Sequence, residues 1–373
     1  MRIRKIDTEN KRDTRKFIRF PLHLYKDNPW FCPSLESEAR FPLDRSRHPF
    51  YKHSHADFFL AESEGQVLGR IAAIYNTHHN ESRQVKTAFF WAFDVVDDFE
   101  VSDRLFAAVM AWSRDRERDT LLGPRGLTGS DAAGVLVEGF DQRAVMGVPY
   151  NHPYYDVFIR KLGFEKLTDH YSGYIPARAK LPQRLIDIAE KVTARRGYRV
   201  LDFTSTDEMR LWAPRVLDVH QKAFAGTHEF HPDPPEEQQL MVDGLLSIAD
   251  PRLIKLLVKG EQVIGFAFCY PDLSDGLRRS KGRLFPFGWW HLQRAFKRSD
   301  WLLANGVGVL PAYQDLGGNA VLYSRLWSAI QELDRFEHVD VVQVNETNFK
   351  SRSDMENLGV QWVKKHRSYT RKL

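Results

Sequence analysis

The sequence contains only two cysteines, Cys32 and Cys269, and they lie far apart in the chain. Two isolated thiols exclude a disulfide framework, and they exclude the clustered thiolates of a zinc ribbon or an iron–sulfur site. No hydrophobic run approaches the ~20 residues that a membrane-spanning helix needs. The opening stretch MRIRKIDTENKRDTRKF lacks the apolar segment of a secretory signal. We therefore expect a cytoplasmic protein that meets a membrane, if at all, from the surface.

The chain also lacks a strong net charge and the composition of a disordered protein. Among its 373 residues, 54 Lys and Arg stand against 49 Asp and Glu, which gives a formal charge of +5. Hydrophobic residues make up 43% and charged residues 28%, which is typical of globular proteins. This length predicts two domains, each large enough for its own core.

One structural plan occurs twice in the sequence. Residues 66–69 (Gln-Val-Leu-Gly) follow a polar turn between two apolar runs, and residues 262–265 (Gln-Val-Ile-Gly) do the same 196 positions later. Each pattern predicts a β-hairpin. At the same offset, the pairs Leu162-Gly163 and Leu358-Gly359 each close a predicted helix. Two matches at one offset indicate a repeat.

The remaining elements of both halves mix helices with hairpin strands, so a regular strand–helix alternation is not expected. We predict an α/β fold in which each half has a mixed sheet with flanking helices. The first domain is expected at 1–175 and the second at 183–373. The two prolines in 176–182 predict a linker there.

The most informative stretch is the loop Gln-Asp-Leu-Gly-Gly-Asn at 314–319, which joins a predicted strand (Val307–Leu310) to a predicted helix (Asn319–Leu333). Glycines before a helix let backbone N–H groups approach an anion closely, and the helix N-terminus adds the positive end of its dipole. A pyrophosphate would suit such a site. A left-handed turn that only connects two elements explains the glycines equally well.

The order of hairpin, strand, Gln-x-x-Gly-Gly-Asn, helix, strand and helix resembles the GNAT superfamily of acyl-CoA N-acyltransferases, whose signature here is Gln/Arg-x-x-Gly-x-Gly/Ala. Gln314 and Gly317 match it, whereas Asn319 replaces the last glycine. The resemblance implies two tandem GNAT-like domains, an acyl-CoA co-substrate and no metal. It implies that the loop amides hold the pyrophosphate of coenzyme A and that the preceding strand pairs with the pantetheine arm. The cofactor-binding residues that it implies are Val307, Gly308, Val309, Leu310, Gln314, Gly317, Gly318, Asn319, Ala320 and Asn348.

The matching loop of the first half, Asp-Asp-Phe-Glu-Val-Ser at 97–102, has no glycine and three acidic residues. These carboxylates would repel a pyrophosphate. We therefore expect one cofactor site per chain, in the second domain. The first domain is then a degenerate GNAT-like domain, without the phosphate loop, that shapes the acceptor pocket.

Acylation of an amine needs a neutral amine, a stabilised oxyanion and a proton for the leaving thiolate. An amide near Val309 is a candidate oxyanion donor. Many members of the superfamily protonate the thiolate with a tyrosine on the last helix, but Met355 occupies the matching position here. Another residue, or water, must then supply that proton.

The candidate bases and pocket residues fall in three places. Glu346 follows a predicted strand, two histidines lie in the segment GTHEFHP, and the aromatic segment VPYNHPYY follows a glutamate flanked by glycine. A solvated carboxylate, ordinary loop polarity and core aromatics explain the same residues without any catalytic role. The His-x-x-His spacing lacks a helix and a third ligand, so no metal is expected. The catalytic candidates are Glu346, His228, His231, Tyr150 and Glu138.

An unusual segment at 277–303 contains seven Lys and Arg, one acidic residue and six aromatic residues, whereas the rest of the chain is nearly neutral. Trp289, Leu292, Phe296 and Leu303 fit one helical stripe, which is typical of a helix at the surface of an anionic membrane. An amphipathic helix packed on the second domain fits the same pattern. Base stacking would also use basic and aromatic residues. No RNA-binding motif occurs, so we expect no nucleic-acid partner.

Three segments are similar to the bacterial ceramide synthase group: GRLFPFG at 282–288, GVLPAYQDLGG at 308–318 and PYNHPYY at 149–155. The similarity implies transfer of a long acyl chain from acyl-CoA to a sphingoid base (sphinganine or 3-ketosphinganine) at the inner membrane, giving ceramide in sphingolipid synthesis. A small-molecule N-acetyltransferase and an aminoacyl-tRNA-dependent peptidyl transferase are alternatives within the same fold. A non-catalytic membrane-binding module is an alternative of another class.

Overall fold

The computed structural model describes residues 1–129, 131–225 and 233–373. Its strands, in chain order, are β1 (Arg2–Lys5), β2 (His55–Ser63), β3 (Gln66–Tyr75), β4 (Thr87–Val95), β5 (Thr120–Gly123), β6 (Val135–Glu138), β7 (Glu165–Pro176), β8 (Tyr198–Leu201), β9 (Ile254–Lys259), β10 (Gln262–Pro271), β11 (Trp301–Val309), β12 (His338–Asn345) and β13 (Gln361–Lys372).

Its helices are α1 (Lys11–Leu24), α2 (Glu36–Arg40), α3 (Thr77–Arg83), α4 (Phe99–Arg114), α5 (Tyr154–Lys161), α6 (Gln183–Arg196), α7 (Thr206–Phe224), α8 (Pro235–Ile248), α9 (Ser274–Ser280), α10 (Gly288–Arg298), α11 (Gly318–Leu333) and α12 (Phe349–Leu358). Within the described ranges, none of these helices combines the length and the apolarity needed to cross a bilayer.

The chain forms two compact units, and neither is continuous in sequence. The first contains residues 1–171, 274–293 and 363–373, and the second contains residues 172–273 and 294–362. The strands β7 and β13 and the helix α10 each pass from one unit into the other. The continuous domains expected from the sequence, 1–175 and 183–373, stay a prediction.

The sheet of the first unit has the strand order β1-β2-β3-β4-β5-β13, and β6 also pairs with β13. Within the described residues its strands pair antiparallel, except that β4 and β5 are parallel. Hydrophobic clusters cover both faces of this sheet: Phe90 and Phe106 pack edge to face in one cluster, and Phe17 and Phe58 do so in the other. A sheet covered on both faces explains the long apolar strands of this unit.

The sheet of the second unit has the order β7-β12-β11-β10-β9-β8. Here β11 pairs in parallel with β12, at the place that the parallel β4–β5 pair takes in the first unit. One hydrophobic cluster fills the unit, and Leu322, Leu326 and Ile330 of α11 are buried in it, as their helical spacing predicts. The two units thus share the order hairpin, strand, helix and parallel strand, and the predicted mixed α/β fold is confirmed.

Both predicted hairpins form, and each turn contains a glycine with a positive φ angle. Glu64 and Gly65 have φ values of 49° and 79°, and Gly260 has a φ of 59°. The consecutive positive φ angles of Glu64 and Gly65 are typical of a type I′ turn, whereas in the second turn only the first residue, Gly260, has a positive φ, as in a type II′ turn. Both turn types match the twist of two antiparallel strands. The β2–β3 and β9–β10 pairs are therefore set by local sequence.

Candidate functional site

The strands β11 and β12 of the second unit separate halfway along their length. Their parallel register begins at Trp301 with His338 and ends at Ala304 with Val341, although both strands continue for several residues. At the same point β11 has one extra residue relative to β10, Asn305, because Cys269 pairs with Ala304 whereas Phe268 pairs with Gly306. A bulge of this kind bends a strand away from its neighbour.

This separation leaves a free backbone edge. Beyond Ala304, the edge of β11 that faces β12 has no strand partner among the described residues. Asn305 is held in the bulge by a hydrogen bond from its Nδ2 to the Tyr270 hydroxyl, 2.7 Å long. An unpaired edge of a strand accepts an extended amide-containing chain by the same hydrogen bonds that join strands. The geometry suits a pantetheine-like arm.

The helix α11 follows β11 after the connection 310–317, and its N-terminus is open. Gly317 precedes the helix with a φ of 83°, and it offers no side chain to cap the first turn. The first intrahelical bond joins the Val321 N–H to the Gly317 carbonyl, over 3.3 Å. The N–H groups of Gly318, Asn319 and Ala320 therefore find no acceptor in the part of the chain that the structure describes. Such a cradle of N–H groups at a positive helix end binds anions.

The equivalent helix of the first unit, α4, is closed to an anion. Asp98 caps it by accepting a hydrogen bond from the Glu100 N–H at 2.9 Å, and the Glu100 side chain adds a second carboxylate to the first turn. A carboxylate already satisfies the positive end of this helix. The contrast with Gly317 supports the expectation of one anion site per chain, which stays a prediction.

Packing holds the glycine loop of the second unit close to its neighbours. A Cβ atom at Gly317 would lie 2.7 Å from the Val192 side chain, and one at Gly318 would lie 2.9 Å from Leu257. The Gln314 side chain also ties the loop to β11, because its Nε2 donates to the Val309 carbonyl over 3.1 Å. Larger residues at the two glycines would displace the loop from this position.

Two predicted cofactor residues at the end of β11 bury their side chains, so only their backbone could face a ligand. Val309 and Leu310 are buried in the core, with 5% and 7% exposure. Gly308 allows close packing, since a Cβ there would lie 2.7 Å from the ring of Phe266. Asn348 caps α12, where its side chain accepts a hydrogen bond from the Ser351 N–H.

Two carboxylates on neighbouring elements modify the charge beside the loop. Asp315 pairs with Lys350 of α12 at 2.6 Å, so its charge is compensated. Burial raises the pKa of Asp354, also on α12, above its ordinary value, and the hydrogen bond from Asn319 opposes that rise. Protonation of Asp354 would therefore favour an anion in the loop.

One residue that the sequence analysis did not single out, His220, lies on α7 beside the same sheet. Its ring lies 4.9 Å from that of Phe224 and 6.0 Å from that of Phe266, measured between centroids. Burial lowers the pKa of His220 below its ordinary value of 6.5, so the imidazole is neutral at pH 7. A neutral imidazole is a competent base. No sequence motif marks it, because its position depends on how α7 packs against β10 and β11.

Glu346, which the sequence analysis did propose as a base, is half-buried directly after β12. It thus belongs to the same unit as the glycine loop and the free edge of β11. Met355 is buried in the core at 9% exposure and offers no proton. Burial raises the pKa of Tyr323 on α11, and the charge of Asp354 raises it further, so this phenol stays protonated. Tyr323 is therefore a candidate proton donor of this unit that the sequence pattern did not indicate.

Tyr150 and Glu138, also predicted as site residues, belong to the first unit. The Tyr150 hydroxyl accepts a hydrogen bond from Asn28 at 2.9 Å and donates one to the Phe140 carbonyl. Glu138 pairs with Lys365 of β13 at 2.5 Å. Both therefore have structural partners within their own unit. His228 and His231, with Glu229, lie outside the described residues.

The segment 277–303 does not form one helix. Its residues belong to α9, α10 and β11, and Leu303, expected on the helical stripe, is instead a fully buried residue of β11. That part of the prediction is wrong, because strand pairing overrides the helical spacing at Leu303. Four aromatic residues between 285 and 290 are strongly exposed: Phe285 (79%), Phe287 (70%), Trp289 (49%) and Trp290 (46%).

Comparisons with known proteins agree with this geometry. No protein-family model matches the chain. A tandem GNAT protein from the clavulanic acid biosynthesis pathway superposes with a TM-score of 0.60 at 12% identity, over 100% of this chain and 98% of that protein. The chain therefore has the tandem GNAT fold that its sequence predicts.

Two sequence relatives cover almost the whole length. The protein YghO of Escherichia coli strain K12 is 27% identical over 377 residues, which are 98% of this chain and 94% of that protein. The bacterial ceramide synthase of Caulobacter vibrioides is 24% identical over 383 residues, 99% of this chain and 97% of that protein. The predicted resemblance to the bacterial ceramide synthase group is thus found along the full chain.

Proposed function

We propose that this protein is an acyl-CoA-dependent N-acyltransferase that transfers a long fatty acyl chain to the amine of a sphingoid base. The observation that carries the proposal is the open N-terminus of α11 directly beside the free edge of β11. These two features suit the two halves of coenzyme A, the pyrophosphate and the pantetheine arm. The acceptor class is suggested by the relative named a bacterial ceramide synthase.

In the proposed reaction the acceptor amine attacks the thioester carbonyl, the C–N bond forms, and the C–S bond breaks. The N–H groups of Gly318, Asn319 and Ala320 hold the pyrophosphate, and the backbone of β11 aligns the thioester. A backbone N–H of β11 near Val309 stabilises the oxyanion. The amine loses its proton to a base, for which Glu346 and His220 are the candidates of this unit, and the thiolate gains one from Tyr323 or water.

We further propose that the enzyme works at the cytoplasmic surface of the inner membrane, because the apolar tails of both proposed substrates favour a bilayer. The exposed aromatic residues between Phe285 and Trp290 support this location, since four large apolar side chains in solvent mark a contact surface. Basic residues of 277–303 favour anionic lipids. Nucleic acid is not proposed as a partner.

The direct test is an assay of purified protein with palmitoyl-CoA and either sphinganine or 3-ketosphinganine. We expect release of free CoA and formation of the amide, detected by mass. Acetyl-CoA replaces palmitoyl-CoA in a parallel reaction, because preference for the short thioester would point to a small-molecule N-acetyltransferase. Failure to acylate either long-chain amine, with CoA binding intact, would refute the proposed acceptor.

A further inference from the structure

The helices α1 and α2 of the first unit border a cationic groove with a volume of about 680 Å³. Five basic side chains and one carboxylate line it. These residues are Lys11, Arg12, Arg15, Arg19, Glu36 and Arg40. A basic concavity attracts and retains anions more strongly than separate surface charges do.

Three of the five cations lack a compensating partner. Among the described residues, no carboxylate lies within 4 Å of the side chains of Lys11, Arg12 or Arg15. The other charged residues of α1 behave differently: Asp13 pairs with Arg4 and Lys16 pairs with Glu62, each at 2.6 Å. The unpaired cations of this helix are thus concentrated in the groove.

The wall of the groove is fixed by hydrogen bonds. Arg19 donates to Glu36 at 2.8 Å, and Arg40 donates to Thr14 at 3.1 Å, so α1 and α2 are joined at two places. Burial would raise the pKa of Glu36, but the hydrogen bond from Arg19 and the charges of Arg19, Arg40 and Arg283 lower it. Arg19 Nε is buried without an acceptor among the described residues.

The groove adjoins the exposed aromatic segment within the same unit. The Glu36 N–H donates to the Gly282 carbonyl over 2.7 Å, and a Cβ at Gly282 would lie 2.4 Å from the Ser34 carbonyl oxygen. Three residues after Gly282, the exposed aromatic side chains begin at Phe285. Cationic and aromatic groups therefore occupy one continuous part of the first unit.

We infer that this groove binds the phosphate groups of anionic phospholipids while the aromatic residues 285–290 enter the interface of the same bilayer. Arginine suits this role because its planar guanidinium makes paired hydrogen bonds to phosphate. The exposed aromatic residues favour a membrane over a free phosphate ester, which would need only the groove. The inference rests on the membrane contact proposed above, but it assigns a second, separate lipid-binding element.

The test measures co-sedimentation with vesicles, without CoA or acceptor, so that its outcome does not depend on acyl transfer. The vesicles contain phosphatidylcholine alone or equal parts of phosphatidylcholine and phosphatidylglycerol, at low and high salt. The variant is Arg12→Glu with Arg15→Glu, since both side chains are exposed at the start of α1, where acidic residues are compatible with the helix. The matched control is Lys86→Glu with Arg114→Glu, two exposed basic residues of the same unit outside the groove.

We expect the groove variant to lose affinity for the anionic vesicles by about tenfold or more, because each basic residue near such a surface contributes about a fivefold factor. The control should bind as the unaltered protein does. Binding of the groove variant equal to that of the control would overturn the inference. RNA replaces the vesicles in a parallel binding assay. If the groove variant lost binding to RNA but kept its binding to anionic vesicles, the inference would also be overturned. Binding of the unaltered protein to anionic vesicles that does not weaken at high salt is a third result against it, because salt screens the attraction between basic side chains and lipid phosphates.

Discussion

Asn319 donates a hydrogen bond from its Nδ2 to Oδ2 of Asp354 over 2.7 Å, which joins the first turn of α11 to α12. A carboxylate is thus bound directly to a residue of the proposed phosphate loop. The negative charge of Asp354 disfavours a pyrophosphate in the loop. Because burial raises the pKa of Asp354, this charge is lost by protonation at a higher pH than for an ordinary aspartate. If the loop binds the pyrophosphate as proposed, the affinity for coenzyme A should depend on pH through this pair.

Asp354→Asn should therefore tighten CoA binding by about fivefold at pH 8, since one nearby charge is worth ~1 kcal/mol. The asparagine keeps an oxygen to accept the bond from Asn319. In the unaltered protein the affinity should fall as the pH rises through the pKa of Asp354, and the variant should show a flatter profile. Titration calorimetry across pH measures both. Glu332→Gln, at the exposed far end of α11, serves as the control, and weaker binding by the Asp354 variant would contradict the prediction.

Gly317→Asp should reduce CoA binding by at least tenfold. The aspartate adds a negative charge at the helix N-terminus, adopts a φ of 83° unfavourably, and brings a Cβ within 2.7 Å of Val192. Gly260→Asp is the matched control, because Gly260 also has a positive φ but lies in a hairpin turn with nothing within 4 Å. Equal losses in the two variants would show that general backbone strain, and not the loop, explains the effect.

The two candidate bases can be separated by their pH profiles. Because burial lowers the pKa of His220 below 6.5, a rate that depends on it should stay level down to that range and then fall as the imidazole is protonated. If His220 is the base, His220→Gln should lower kcat by about a hundredfold and abolish this acidic limb. Glu346→Gln should then leave the limb in place. The reverse pattern would assign the role to Glu346.

Asp57 should contribute strongly to the stability of the first unit. It accepts a hydrogen bond from Trp112 Nε1 at 2.8 Å and pairs with Arg45 at 2.6 Å, and it is 6% exposed. Replacing it by Asn should reduce the free energy of unfolding by about 1–3 kcal/mol, because the charge-assisted bonds are weakened. Asp103→Asn on the exposed face of α4 should have little effect in the same denaturant titration.

The stabilisation that Asp57 provides should be lost in acid. Burial would raise the pKa of Asp57, but the bonds from Trp112 and Arg45 lower it below 3.8. A lowered pKa in the folded state means that the stabilisation is complete above the ordinary pKa and is lost as the pH falls through the lower value. The difference between the unaltered protein and Asp57→Asn should therefore shrink below about pH 4. A difference that persists at lower pH would contradict this.

Local patterns in the sequence were sufficient to predict the repeated elements. The spacing of Leu322, Leu326 and Ile330 predicts α11, and the turns before Gln66 and Gln262 predict both hairpins, because neighbouring residues determine each feature. The glycine loop is likewise local, and its open helix terminus was expected.

Features that depend on distant contacts could not be read from the sequence. Leu303 fits a helical stripe but pairs with Tyr270 in a sheet. His220 is placed by the packing of α7, and the cationic groove needs α1 and α2 to meet through Arg19 and Glu36. The bulge at Asn305 is equally invisible, since it arises from the register between two strands.

The position of β13 has a consequence for biosynthesis. This strand pairs with β5 and β6, so the sheet of the N-terminal unit is completed by residues near position 370. During translation the first unit to emerge from the ribosome must wait for almost the whole chain before its sheet can close. The sheet of the first unit can therefore close only after residues of the second unit have been synthesised, and a nonsense codon before residue 363 would damage the earliest-made part of the protein.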